Sequence, residues 1–368
     1  MSGAHAPFVP PFCPRSDCRY HRSHDGWRWH RHGYFTTAAT PGRIPRFRCG
    51  SCGHTFSAQT FSPTYWLRRP ELLAHVLLRL NACSGYRQIA RGLDGRRCDP
   101  TTVLRHASRL GRHALLYLWQ HRPRGAVREP LVSDGLESFA YSQYQPLHLN
   151  LVVGAPSHFC YAFTHCELRR KGRMRAAQKR RRAWLEARFG RPDPRAIEHA
   201  MAAALRLAVP EPQAFLWHTD EHDDYPRARR RLLGYAITHV RTPSTEARTP
   251  GNPLFPVNLK DLLLRHNSAN HKRETIAFSK RHQSTIERAA ILFAWLNYMK
   301  PFSERHDGGT PAMRLGLAPR PVPVREFLRW RLFPERVRLP QPWRAYYFGD
   351  VVTRCLKNER RHRLKLAT

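Results

Sequence analysis

Two acidic residues follow apolar stretches of the chain, where a β-sheet could bring carboxylates together. Asp134 follows residues 130–133, and Asp220 follows residues 215–219. The pattern predicts that each stretch is a β-strand and that each aspartate lies at its carboxyl end. Carboxylate oxygens at one edge of a sheet are hard ligands that suit Mg²⁺ or Mn²⁺. Asp is also an ordinary residue for ending a strand or starting a turn, and for either residue alone that structural explanation is equally good.

A third carboxylate would complete a site for two metal ions. Three candidates remain open from the residues alone. Asp261 lies near the start of a predicted helix that could direct it back towards the sheet. Glu287 lies beside Arg288 on the next predicted helix, and Glu274 is flanked by basic residues, so either glutamate could form a solvated ion pair instead. We favour Asp261 over Glu287, and Glu287 over Glu274.

The charge of the chain indicates what such a site would act on. Its 368 residues include 63 Lys and Arg against 27 Asp and Glu, a formal net charge of +36. This excess favours a polyanionic partner, most commonly nucleic acid. An acidic membrane surface is the alternative, but there is no run of ~18 apolar residues for a spanning helix, and residues 1–14 lack the pattern of a signal peptide. We therefore expect a cytoplasmic DNA-binding protein.

Near the amino terminus, four cysteines form two close pairs: Cys13, Cys18, Cys49 and Cys52. In a reducing cytoplasm, clustered cysteines indicate a metal site rather than disulfides. Two close pairs supply the four ligands of a tetrahedral Zn²⁺ site, and the alternating stretch 26–34 between them predicts a strand. His21 or His24 could replace one cysteine as a ligand, but we favour the four cysteines.

Residues 61–122 are predicted to form a helix-turn-helix module. Its helices are expected at residues 71–80, 86–93 and 100–110. One face of the third helix is apolar, and four other residues are expected to face outwards and enter the major groove of DNA: Thr101, Thr102, Arg105 and Arg109. A plain three-helix packing unit with a solvated basic face would give the same pattern.

The elements after residue 125 must position the acids. The predicted order is strands at 130–134, 146–154 and 159–165, helices at 173–189 and 195–208, a strand ending at Asp220, a strand at 235–240, and helices at 257–280 and 283–298. Three strands, helix, strand, helix, strand, helix is the order of an α/β ribonuclease-H-like sheet. We thus expect four regions: a zinc ribbon at 1–60, the helix-turn-helix module at 61–122, a catalytic domain at 125–320 and a basic tail at 321–368.

With these motifs in this order, the chain resembles bacterial insertion-sequence transposases with an N-terminal zinc ribbon, a helix-turn-helix and a DDE catalytic domain, especially the IS1-like kind. Residues 49–57, CGSCGHTFS, are similar to the family's second cysteine knuckle. Residues 273–280, RETIAFSK, are similar to its basic Phe-Ser-Lys signature, and residues 310–317, TPAMRLGL, to its closing segment. The resemblance covers about residues 10–320.

The resemblance implies that Asp134 and Asp220 are the first two catalytic acids. It places the third at Asp261, three positions after Asn258, where the family usually has Glu. It also implies binding of terminal inverted repeats, metal-dependent cleavage and strand transfer on double-stranded DNA, and a homo-oligomer assembled on that DNA. Two alternatives remain: a catalytically inactive, sequence-specific DNA-binding regulator, and a structural or RNA-binding protein.

Overall fold

The computed structural model describes residues 8–37, 40–92, 97–303 and 308–356, which form a mixed α/β structure with two sheets. The strands are β1 (Trp29–Thr37), β2 (Thr40–Cys49), β3 (Thr55–Ser57), β4 (Leu131–Phe139), β5 (Pro146–Gly154), β6 (Cys160–Glu167), β7 (Ala214–Thr219) and β8 (Ala236–Arg241). The α-helices are α1 (Leu73–Asn81), α2 (Tyr86–Arg91), α3 (Pro100–Gln120), α4 (Ala176–Phe189), α5 (Ala196–Ala208), α6 (Asp224–Arg230), α7 (Phe255–Asn267), α8 (His282–Tyr298), α9 (Pro311–Arg314), α10 (Val324–Phe327), α11 (Pro334–Val337) and α12 (Trp343–Phe348). Short 3-10 helices span Arg19–His21, Ala58–Phe61 and Pro70–Leu72.

The first sheet is a small antiparallel meander in the order β1-β2-β3. β2 ends at Cys49, and the chain turns back into β3 so that Phe47 pairs with Phe56. The rings of these two phenylalanines stack with their centroids 5.8 Å apart, and Phe61 meets Phe56 edge to face. This aromatic cluster also contains three of the cysteines and is separate from the main hydrophobic core.

The predicted helix-turn-helix region contains α1, α2 and a third helix that is longer than expected. α3 begins after Asp99, whose carboxylate accepts a hydrogen bond from the backbone N–H of Thr101 at 2.7 Å. It continues past residue 110 because apolar residues such as Ala114 and Leu118 keep one face buried. α3 packs against α8, so the helical region and the second sheet share one hydrophobic core.

The second sheet has the strand order β6-β5-β4-β7-β8. β4, β5 and β6 pair antiparallel, whereas β4, β7 and β8 run parallel. Every residue of β5 after Pro146 is buried, so both faces of the sheet are covered at its centre. The covering helices are α5, which packs on β5 and β6, α7, which packs on β4 and β5, and α8, which packs on β6.

The prediction that Asp134 ends its strand is wrong. β4 continues to Phe139, because residues 134–139 pair with β5 in an antiparallel ladder. The parallel partner β7 is shorter and ends at Thr219, so Asp220 does follow its strand as predicted. In that parallel ladder Val132 pairs with His218, and continuing the register by two residues places Asp134 beside Asp220. The two aspartates are therefore level with each other, although only one is at a strand end.

The predicted helix at 257–280 is shorter in the structure. α7 ends at Asn267, whose side-chain amide donates to the carbonyl oxygen of Leu263 at 2.9 Å. Ser268 then adopts an extended conformation. Side chains of Asn and Ser compete with helical backbone hydrogen bonds, which explains why the run at 267–270 ends the helix. The remainder of the predicted helix is a loop that leads into α8.

The C-terminal segment, expected as a basic tail, is packed against the rest of the protein over residues 321–356. Trp343 is buried in α12, and its indole N–H donates to the carbonyl oxygen of Phe163 at 2.8 Å. Phe333 lies in the aromatic cluster of the first sheet, where its ring is 5.2 Å from that of Phe12. The segment therefore bridges the two sheets. The four predicted region boundaries stay predictions.

No helix within the described parts of the chain is both long enough and apolar enough to cross a membrane.

Candidate active site and metal centre

The four cysteines come together beside the first sheet. Their Sγ atoms all lie within 4.8 Å of one another. Two of these separations join the two pairs: 3.7 Å between Cys13 and Cys52, and 4.0 Å between Cys18 and Cys49. A tetrahedral site with Zn–S bonds of about 2.3 Å has sulfur–sulfur separations of about 3.8 Å. The four cysteines could therefore bind one zinc ion.

Polar groups around the cluster favour a thiolate. The indole N–H of Trp27 donates to Cys49 Sγ at 3.3 Å. Burial acts to raise the pKa of Cys49, but backbone N–H donors at Cys52 and Ser51, together with the indole, outweigh it and lower the pKa to about 6. The thiolate is the form that binds zinc, so Cys49 is prepared for metal binding near neutral pH.

The histidines considered as alternative zinc ligands do not join the cluster. His21 is buried, and its Nδ1 donates to the carbonyl oxygen of Cys13 at 2.9 Å. His24 is exposed in the turn before Trp27. Among the described residues, the metal-ligand group at this position consists of cysteines alone. The structure thus favours the four-cysteine set over a set containing His.

The second cluster is formed by carboxylates at the second sheet. Asp134 accepts hydrogen bonds at Oδ1 from the backbone N–H of Gly135, at 2.6 Å, and from the hydroxyl of Tyr225, at 3.3 Å. Desolvation, followed by the charge of Asp220, raises the pKa of Asp134 to about 6 against the opposing effect of these hydrogen bonds. A carboxylate held beside another with few compensating cations is typical of a functional site.

Asp261 reaches the same cluster from α7. Desolvation raises the pKa of Asp261 well above its ordinary value, the charge of Asp134 raises it further, and Arg265 acts in the opposite direction. Its Oδ1 is buried without a hydrogen-bond partner among the described residues. Asp134 thus interacts with both Asp220 and Asp261. An unpaired, buried carboxylate oxygen is costly unless a bound group compensates for it.

The two glutamates considered as the third acid lie elsewhere. Glu274 is exposed in the loop after α7, at a left-handed backbone position with φ of 54°. Glu287 is buried where α3 crosses α8, and its Oε2 accepts a hydrogen bond from Ser108 Oγ at 2.7 Å. The helices approach so closely there that a Cβ on Gly111 would lie 2.6 Å from Cβ of Glu287. Of the three candidates, Asp261 is the one whose carboxylate interacts with Asp134.

Two groups at the carboxylate cluster were not predicted from the sequence. Tyr225 lies on α6, directly after the Asp220 loop, and all three aspartates raise its pKa after the larger effect of desolvation. His148 on β5 lies on the opposite face of the sheet from the Asp134 side chain and covers Gly135, where any Cβ would lie 1.8 Å from the imidazole. Burial lowers the pKa of His148 to about 4, so it is neutral at pH 7. The sequence offered two signals for these groups: Gly135 directly after a predicted strand, which indicates close contact with another side chain, and Tyr225 five residues after Asp220.

The carboxylates form a more open arrangement than the cysteines. Of the residues that the structure describes, only the four cysteines form a group of three or more potential ligands with all donor atoms within 4.8 Å. Their oxygens are nevertheless hard ligands, and the buried Oδ1 of Asp261, which has no hydrogen-bond partner among the described residues, is an atom that a divalent cation could pair with.

The residues proposed to contact DNA divide into two sets. Thr101 and Arg105 are exposed on the first turns of α3, and Thr102 is partly exposed. Arg109, by contrast, does not face outwards as predicted. Its side chain is buried, and its Nη1 donates to the carbonyl oxygens of Pro63 and Tyr65 at 3.1 and 2.8 Å. Arg109 is covered because the chain before α1 folds over α3 there.

The raised pKa of Asp134 predicts a pH-dependent stability. A carboxyl group with a higher pKa in the folded state stabilises the fold when protonated, and this contribution is lost as the pH rises from the unfolded pKa through about 6. In metal-free protein we expect Asp134→Asn to have little effect near pH 4. Above pH 7 it should raise the free energy of unfolding by about 2–4 kcal/mol.

Urea unfolding of both proteins across pH 4–8 measures this difference. Asp25→Asn, which alters an exposed turn before β1, serves as the control for a surface substitution and should change the free energy of unfolding by no more than ~0.5 kcal/mol. Saturating Mg²⁺ at pH 8 should stabilise the wild type and not Asp134→Asn, because ligands stabilise the state that binds them. If the difference between the two proteins does not depend on pH, the pKa of Asp134 is not raised in the folded state.

The comparisons with known proteins give little similarity. No protein-family model matches the chain, and no curated protein matches it. Among solved structures, the chain is similar to one in the simian T-cell lymphotropic virus intasome in complex with PP2A regulatory subunit B56 gamma. The identity is 17%, the match covers 65% of this chain and 73% of that chain, and the TM-score is 0.26. A similarity of this size does not establish a shared fold.

Proposed function

We propose that this protein is a DNA transposase of the DDE type, with catalytic acids Asp134, Asp220 and Asp261. The observation that carries the proposal is the convergence of these three carboxylates from β4, the end of β7 and α7. Asp134 and Asp261 are desolvated close to each other, with Asp220 beside Asp134, and like charges held in this way oppose folding, so such a cluster needs a function to explain it. Divalent metal ions, Mg²⁺ or Mn²⁺, are the partners that carboxylate oxygens suit.

The arrangement of the second sheet supports a ribonuclease-H-like catalytic domain. Its first three strands pair antiparallel in sequence order, and two parallel strands follow on the other side of β4. In this order Asp134 lies on the central strand β4, and Asp220 directly follows the parallel neighbour β7. The resemblance to insertion-sequence transposases implies the same placement of the first two acids.

The charge balance supports DNA as the substrate. With 63 basic against 27 acidic residues, the chain has a strong sequence-independent attraction for a phosphate backbone. The zinc-binding module and the amino-terminal part of α3 would provide the contacts to the element ends. Thr101, Thr102 and Arg105 lie on the accessible turns of α3, which is where a recognition helix carries its base contacts.

In the proposed reaction the protein supplies positions and charges. Asp134 would hold the central ligand position, Asp220 and Asp261 the outer ones. Tyr225 donates to Asp134 and thereby fixes its orientation. His148, beside Gly135 on the opposite face of the sheet from Asp134, is neutral at pH 7 and adds no competing cation. Bound metal ions would supply activation of the attacking hydroxyl and stabilisation of the leaving oxygen.

The test is metal-dependent nicking of the DNA that flanks the gene for this chain. The full-length protein is incubated with that DNA and Mg²⁺, and the 3′ ends are mapped. Cleavage at a fixed position next to a terminal repeat supports the proposal. Sequence-specific binding without cleavage at any Mg²⁺ or Mn²⁺ concentration would indicate the regulator instead.

The contrast between the two arginines of α3 gives a further prediction. Arg105→Ala should reduce the preference for end DNA over random duplex by about tenfold, because a bidentate Arg–guanine contact contributes ~1–3 kcal/mol of discrimination. Arg109→Ala should keep that preference but lower the thermal stability, since the carbonyl oxygens of Pro63 and Tyr65 lose their donor. Both affinities are measured at one salt concentration. An unchanged preference in Arg105→Ala would place recognition on another element.

A further inference from the structure

Helix α4 differs from the other long helices because none of its residues is buried. Its first ten residues include Lys179, Arg180, Arg181 and Arg182 in succession. A helix that is polar on all sides is either stabilised by ion pairs or is held by something outside the chain. One side of α4 is held by ion pairs, and the other side is exposed.

One side of α4 is fixed to the protein through Glu186. The carboxylate of Glu186 accepts two hydrogen bonds from Arg169, at 2.8 and 2.9 Å, and lies 3.6 Å from Arg182 Nε. Arg182 also donates to the carbonyl oxygen of Arg170 at 3.0 Å. These contacts hold the helix against the segment that follows β6. Of the basic residues in this region, Arg169 and Arg182 make these contacts. Lys179, Arg180 and Arg181 are exposed.

The other side of α4 presents an exposed tryptophan between arginines. Trp184 has 46% of its surface accessible. The guanidinium of Arg181 lies 4.3 Å from the centre of its ring and that of Arg188 lies 5.5 Å away. Phe189 adds a second accessible ring, 6.4 Å from Trp184. Aromatic rings interleaved with cations at the surface are typical of surfaces on which bases stack while phosphates are neutralised.

A groove lies between β4 and the segment that follows β6, to which α4 is fixed. It has a volume of about 420 Å³ and is lined by residues 169–172 on one side and by Glu137, Ser138 and Phe139 of β4 on the other. Ser138 lies four residues after Asp134 on the same strand and on the same face, about 13 Å further along. The groove therefore lies between the strand that carries Asp134 and the arginine that holds α4 through Glu186.

We propose that α4 and this groove form a binding site for single-stranded DNA, in which an unpaired base stacks on Trp184 and the exposed Lys and Arg residues contact the phosphates. A single strand is favoured over a duplex because only an unpaired base can place its face on an accessible tryptophan. The position of the strand relative to Asp134 rests on the function proposed above, whereas the binding site itself does not.

The experiment measures binding of a fluorescein-labelled dT20 strand to the full-length protein without metal, so that it is independent of cleavage. Trp184→Ala should weaken binding of dT20 by about fivefold or more, as expected for the loss of one stacked base. Trp66→Ala is the matched control, because Trp66 is likewise exposed but lies before α1. It should change the affinity by less than about twofold. Trp184→Phe, which keeps a ring, should restore most of the affinity.

Two further probes define the ligand. A duplex hairpin of the same length should show little dependence on Trp184, and Arg180→Gln, one helical turn before Trp184, should reduce the log–log salt slope for dT20 by ~0.7. Equal losses in Trp184→Ala and Trp66→Ala, or no loss in either, would overturn the proposal. Tighter binding of rU20 than of dT20 would overturn the assignment to DNA. Cleavage of flanking DNA by a protein that fails these tests would leave the proposed function intact.

Discussion

Asp134→Asn is expected to abolish metal-dependent DNA cleavage while DNA binding remains within about twofold of the wild type. Asparagine has the shape of aspartate but cannot supply the anionic oxygen that a divalent metal ion requires. Because groups of a catalytic set act as a unit, the loss of one should reduce the cleavage rate by about a thousandfold or more. The variant should stay folded, because a neutral asparagine replaces a desolvated carboxylate. Desolvation already raises the pKa of that carboxyl group to about 6.

The same assay distinguishes the third acid. Asp261→Asn should match Asp134→Asn in its loss of cleavage, and Asp220→Asn should do the same. Glu274→Gln is the control, because Glu274 is exposed in the loop after α7 and should keep full activity. Cleavage is measured by mapping 3′ ends, and binding by the mobility of flanking DNA without metal. Loss of binding in all three aspartate variants would contradict the assignment of binding and catalysis to different parts of the chain.

Much of the architecture could be predicted from local patterns. β5 was predicted with its observed bounds because its alternating and buried apolar residues are unlike any helix. Asp220 was placed correctly because a polar residue after a short buried strand is a local signal. The cysteine cluster followed from two close pairs, which need no knowledge of distant contacts. The role of these residues in catalysis and metal binding stays a prediction.

Other features depend on partners that the local sequence does not specify. β4 continues past Asp134 because β5 supplies an antiparallel partner, and nothing within residues 130–134 indicates that. The burial of Arg109 depends on carbonyl oxygens of residues 63 and 65, which the helix period alone cannot reveal. The C-terminal segment has the composition of a basic tail, yet Phe333 and Trp343 anchor it in two separate places. In each case tertiary contacts override the local preference.

The proposed zinc site at the four cysteines gives the second large expected effect. Cys49→Ser should remove the single zinc ion and unfold the first sheet, because structural zinc sites contribute an apparent ~10–16 kcal/mol and this sheet has only a small aromatic core of its own. A strong chelator should do the same to the wild type. The second sheet should stay folded under both conditions, since its core is a separate cluster.

Full-length protein is the appropriate sample, because Phe333 from the C-terminal segment completes the aromatic cluster and a fragment of residues 1–60 would lack it. Zinc content is measured by elemental analysis and unfolding by limited proteolysis within residues 8–57. Cys98→Ser is the matched control: this cysteine lies outside the cluster and should leave one zinc ion per chain. If Cys49→Ser retains its zinc and its protease resistance, the four thiols pack together as ordinary buried cysteines, and the aromatic rings alone hold the first sheet.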